Sequence, residues 1–128
     1  MPARHVVEIE ERLIYTRLSG VVTLDDMVQF IASLRADPNF DPEFSEIVDL
    51  SNTSDVRLGY EEFKRLEELD PFADGSKWAF VIPTNPAVYG VTRMYHLIQN
   101  EDPAIKIFRT GQEAREWVSH RDVRDPCS

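Results

Sequence analysis

The chain has 128 residues, 42% of them hydrophobic, with 14 Lys and Arg against 23 Asp and Glu and a formal net charge of −9. That length suits one domain, since chains of ~150 residues bury roughly 70% of the surface they expose when unfolded. The acidic balance excludes nucleic-acid binding that relies on neutralising phosphates, and it excludes docking on anionic membrane.

Two strands are predicted first. Val7 and Ile9 alternate with charged residues, Glu11-Arg12 makes a turn, and Leu13 to Leu18 is β-branched and aromatic up to a closing Gly20. So short a link pairs them antiparallel. Thr23 then caps a helix with Asp25 and Asp26 in its first turn, and Leu24, Met27, Val28, Ile31 and Leu34 form its apolar stripe. Asp37-Pro38 ends that helix. The loop from Asp37 to Phe44 repeats Asp-Pro-x-Phe, and its phenylalanines are expected to plug one end of the core.

Ile47 to Leu50 reads as a short buried strand followed by a polar loop, Ser51 to Asp55. Tyr60 to Leu69 is helical, with Tyr60, Phe63, Leu66 and Leu69 inward and Glu61 paired with Arg65 across one turn. Trp78 to Ile82 is apolar on both faces and is expected near the sheet centre. Asn85-Pro86 starts a helix reaching about Asn100, with an apolar stripe of Val88, Val91, Tyr95 and Ile98. Gly90 interrupts it, which fits close packing against a neighbour or ligand, or a cost that is simply tolerated. Ile105 to Arg109 is the last strand, and Thr110 with Glu113 forms a capping box for a final helix through Trp117 and Val118.

The order β-β-α-β-α-β-α-β-α implies an α/β fold: a mostly parallel five-stranded sheet with right-handed crossovers and an antiparallel edge strand. One domain is expected over residues 1–128, with its core at about 6–118 and a polar tail at 120–128.

Four strings, Tyr15-Thr16-Arg17-Leu18-Ser19-Gly20, Asp37 to Phe44, Val48-Asp49-Leu50-Ser51 and Gly90-Val91-Thr92-Arg93-Met94-Tyr95, together resemble the small bacterial SpoIIAA-like proteins of the STAS type. These are distantly related to CRAL-TRIO lipid-binding domains. The resemblance implies a right-handed (βα) superhelix with parallel strands in sequential order, and for most of its members no established activity. Phospho-regulated antagonists carry an Asp-Ser-Ser-Gly-like element after the third strand. Here Arg57-Leu58-Gly59-Tyr60 stands in that place, without an acceptor serine. The switch is not carried over.

Three places are candidates for function. The loops at the carboxyl ends of the parallel strands offer Ser51, Thr84 and Asn85 to an anion or polar headgroup, or simply as caps and turns. The polar stripe Tyr89, Arg93, His96 and Asn100 fits an anion or a partner's carboxylate, or plain solvation. Phe40, Phe44 and Phe72, with Trp78 and Tyr95, fit the walls of a pocket for an acyl chain or another hydrophobic ligand, or a filled core end. His5, His96 and His120 lack metal-ligand spacing, and no catalytic constellation or cofactor loop is present, so neither metal nor cofactor is expected.

The leading expectation is a cytoplasmic binding or regulatory module without enzymatic activity. Its partner is a protein or a small hydrophobic or anionic ligand, with no nucleic acid and no membrane insertion. The cytoplasmic setting rests on the single cysteine, Cys127, and on the lack of a secretory core. The alternatives are a small enzyme using Asp49 or Tyr89 at the strand carboxyl ends, and a homodimer built through the edge strand Val6 to Glu10. From Asp25 to Asp74 the chain carries 14 acidic and 4 basic residues, so the whole negative excess belongs to this stretch. Most of that charge is expected on solvated helix faces.

Overall fold

The computed structural model describes residues 3–73, 75–82, 86–98 and 103–119, without the side chains of residues 87, 96 and 98. Nine elements follow in chain order: β1 Ala3–Glu8, β2 Leu13–Val22, α1 Leu24–Ala36, β3 Ser45–Val56, α2 Tyr60–Leu69, β4 Trp78–Val81, α3 Pro86–Ile98, β5 Ile105–Phe108 and α4 Gly111–Ser119. The strands lie side by side in sequence order, β1 antiparallel to β2 and the rest parallel.

Sequential order has a consequence for the helices. Right-handed crossovers that always step to the next strand place every connecting helix on the same face of the sheet. Phe30 and Leu34 of α1 and Val88 of α3 accordingly share a core with Ile14, Leu18, Val48, Leu50 and Ile82. The intervening residues of the same strands, Leu13, Ile47, Ala79 and Val81, turn to the other face and meet Ala114, Trp117 and Val118 of α4. One helix covers that second face.

The expected helix signals operate. Thr23 and Asp26 cap α1 reciprocally, and Thr110 exchanges hydrogen bonds with Glu113 at the start of α4. Phe30 and Leu34 are the buried members of α1, and Val28, 37% exposed, lies at the edge of the stripe. Tyr60 is 56% exposed because it opens α2, and Leu58, just before the helix, fills the inward place. Arg65 pairs with Glu68 and Lys64 with Glu67, one residue nearer than the expected Glu61–Arg65 pair.

Two expectations fail for definite reasons. The strand expected to end at Leu50 continues to Val56, so Ser51 to Asp55 is strand and not loop. Gly20, at φ 69°, lets β2 shift register and run on to Val22 as the partner of this extension. Thr53 turns inward there and donates from its hydroxyl to the Leu18 carbonyl at 2.9 Å. The second is the close-packing reading of Gly90: a side chain built there meets nothing within 4 Å among the described residues, which leaves the reading of a tolerated cost.

Candidate functional site

A concavity lies between the sheet and the helices on its three-helix face. Helices α1 and α3 pack on the strands, whereas α2 packs chiefly on α1 and α3. The space beneath α2 is a cavity of about 130 Å³. Its floor is made by Leu18 of β2, Val48 and Leu50 of β3 and Phe80 of β4, and its roof by side chains such as Ile31, Phe63 and Val91. That volume is close to the ~150 Å³ of an apolar cavity that stays dry and takes up benzene.

Aromatic rings build one end of it. Phe40 stands edge-on to Phe72 at 5.4 Å, Phe72 edge-on to Trp78 at 5.8 Å, and Trp78 is stacked with Tyr95 at 6.2 Å. Tyr95 also meets Phe63 at 5.0 Å and Phe80 at 5.7 Å. Phe72, Trp78 and Tyr95 line the cavity directly, Phe40 supports Phe72 from behind, and Phe44 is buried in the adjoining core under the Arg12 guanidinium.

The polar atoms on these walls are few. Glu46 enters from β3 opposite Trp78 of β4, on the same face as Val48 and Leu50. It is only 6% exposed, and its carboxylate takes one side-chain hydrogen bond, from Thr16 Oγ1 at 2.6 Å. Burial pushes its pKa up to about 7; the Thr16 hydroxyl opposes this and the nearby Asp70 adds to it. Asp70, at the end of α2, also lines the cavity and accepts from the Phe72 amide at 2.8 Å. The Trp78 indole N–H is buried without an acceptor. Thr92 turns its hydroxyl to the Val88 carbonyl in its own helix, at 2.8 Å.

On the opposite face, Asp49 collects donors. Its carboxylate accepts from the Tyr15 and Ser51 hydroxyls, from the Ser51 amide at 2.8 Å and from Arg17 at 3.3 Å. Burial raises the carboxyl's pKa, but the Ser51 and Tyr15 hydrogen bonds and the Arg17 charge outweigh it, and the net shift is downward. A carboxylate held ionised in this way is weakened as a general base near neutrality.

No family model matches the chain, and no curated protein matches it in sequence. Among solved structures it is similar to a protein of the DUF3478 family from Shewanella loihica PV-4, described as uncharacterized and as having a SpoIIAA-like fold. The two are 16% identical, with 91% of this chain and 93% of the other covered, at a TM-score of 0.61. The fold is SpoIIAA-like.

Within the SpoIIAA-like framework the sequence candidates separate. Ser51 lies in β3 and is engaged with Asp49. Tyr89 and Arg93 share an outer stripe of α3, Tyr89 exposed and Arg93 half-buried. Thr84, Asn85, Asn100, His120 and Cys127, together with the His96 side chain, fall outside the described residues. The aromatic candidates come together around the cavity, but Glu46 is absent from the sequence reading. Its signal was the two-residue period that sets it in line with Val48 and Leu50. Among the described residues no three His, Cys, Asp or Glu side chains are grouped to hold a metal, and no helix is long and apolar enough to cross a membrane.

Proposed function

We propose that this protein is a binding module that holds a small, mainly apolar ligand in the cavity between the sheet and α1–α3. The single observation that carries the reading is the cavity itself: about 130 Å³, walled mainly by aliphatic and aromatic side chains. Interiors are normally packed to crystal density, so a void of this size forfeits dispersion contacts that a ligand restores. Its size suits ligands of roughly six to eight non-hydrogen atoms, by comparison with cavities that admit benzene. The single cysteine supports a reducing, cytoplasmic setting for the module.

The two tryptophans make the test simple. Trp78 walls the cavity and Trp117 packs on α4's face of the sheet, so Trp117→Phe leaves a fluorophore only at the site. Titration of that variant with toluene is expected to change its emission saturably, and introduction of Val91→Phe into the cavity roof to abolish the response. A response that survives Val91→Phe, or none up to the solubility limit, overturns the proposal.

A further inference from the structure

Among the described residues, the charged side chains that line the cavity are the carboxyls of Glu46 and Asp70, and Tyr95 adds a phenol. The side chains facing it from α1 are all apolar: Met27, Phe30, Ile31 and Leu34. Thus the groups that face Glu46 are Thr16 from β2, Trp78 from β4, Asp70 from the end of α2 and Tyr95 from α3.

An anionic headgroup meets the buried Glu46 carboxyl there. Among the described wall residues the Trp78 indole N–H is a buried donor without a partner, and a lone donor does not offset a carboxylate facing an anion. A cation finds the opposite. The Glu46 carboxylate has one side-chain donor and retains room for more, since an ionised carboxylate accepts at about four lone-pair sites. Phe63, Phe72, Trp78 and Tyr95 also line this space, and aromatic rings attract cations that reach their faces. A buried charge pair is favourable only when it is hydrogen-bonded as well as paired. A primary ammonium brings three donors for that purpose.

We infer that the ligand of this cavity is a small hydrophobic amine, bound as the ammonium against Glu46 with its apolar body under α2. The inference rests on the cavity-binding reading above. Uptake of the cation also shifts Glu46 from its partly protonated state near neutrality to the carboxylate, so a proton leaves the protein as the ligand enters.

Three probes of equal chain length separate the possibilities: hexylamine, 1-hexanol and hexanoate, titrated calorimetrically into the full chain at about pH 6 and about pH 8. The amine, with a pKa near ~10 like that of lysine, stays charged throughout, so any pH dependence reports the protein. The expected result is hexylamine binding at least about tenfold more tightly than hexanol at the higher pH. Its affinity should fall at the lower pH, with hexanoate weakest. In Glu46→Gln, the amine's advantage over hexanol should disappear while hexanol still binds. Proton release near neutrality, read from enthalpies in two buffers, provides a wild-type measurement that does not depend on the variant folding.

Hexanol binding as tightly as hexylamine, or hexanoate binding best, overturns the amine assignment and leaves the apolar-ligand reading intact. Failure of all three probes overturns both.

Discussion

Glu46 and Asp49 are three residues apart on β3 and therefore face opposite sides of the sheet, and their surroundings drive them in opposite directions. Around Asp49 are donors; around Glu46 are apolar walls, one threonine and another acid. The Glu46 pKa, raised from 4.5 to about 7, means that the folded protein binds more protons than the unfolded chain between those values. Stability from this group is full below the unfolded value and is lost as pH rises through the folded one. Glu46→Gln removes that penalty, so the variant should gain on the wild type as pH rises from 5 to 8, by up to about 3 kcal/mol. Urea denaturation across that range checks the slope, and parallel curves for the two proteins would refute it. Asp49, shifted down, has the reverse sign: its contribution is present above the ordinary aspartate value of 3.8 and vanishes as pH falls through the lower folded one. Asp49→Asn should cost about 1–3 kcal/mol at neutral pH, because it leaves Arg17 unpaired and Tyr15 and Ser51 less well accepted. The gap should narrow in strong acid.

At the scale of elements, the sequence is informative wherever a period and a cap agree. Thr23 before the stripe of α1 and Thr110 before α4 mark both starts correctly, because a reciprocal cap is a local interaction needing no tertiary partner. The end of β3 was not legible. Ser51 to Asp55 has turn composition, and only β2, shifted in register around Gly20, supplies the pairing that keeps it extended. The cavity was illegible for a related reason: the aromatic residues that wall it are visible in the chain, but the distance of α2 from the sheet is set by how three helices pack together. Gly90 allowed two readings, a contact point or a tolerated cost, and its open surroundings in ordinary helix favour the second. Gly90→Ala should therefore stabilise the protein by about 0.5–1 kcal/mol, the usual difference between these residues in an exposed helix interior. A thermal midpoint that falls would show that the alanine meets something there.

For the whole molecule, the sheet separates two structures with different roles. One face, under α1–α3, contains a void; the other, under α4, is closed by Trp117, which meets Phe108 at 5.7 Å and lies beneath the ammonium groups of Lys77 and Lys106 at 5.2 and 5.5 Å. Further out on that face, Arg115 joins Glu8 of β1 through both carboxylate oxygens, at 3.0 and 2.8 Å, so the last helix is tied to the first strand. If the SpoIIAA-like sheet is a rigid partition, removing support from the closed face should lower stability without altering the cavity. Trp117→Ala should cost about 2–3 kcal/mol, below the 3–5 of a fully enclosed tryptophan because this one is half-buried. Its effect should add to that of Val91→Phe within about 0.5 kcal/mol, since the two sites share no partner. Saturating toluene should raise the thermal midpoint of the wild type and of Trp117→Ala by similar amounts, as expected when ligand stabilisation depends only on concentration and affinity. A cavity that lost its affinity on Trp117→Ala would mean that α4 sets the strand positions under the ligand, and the two faces would then have to be treated as one site.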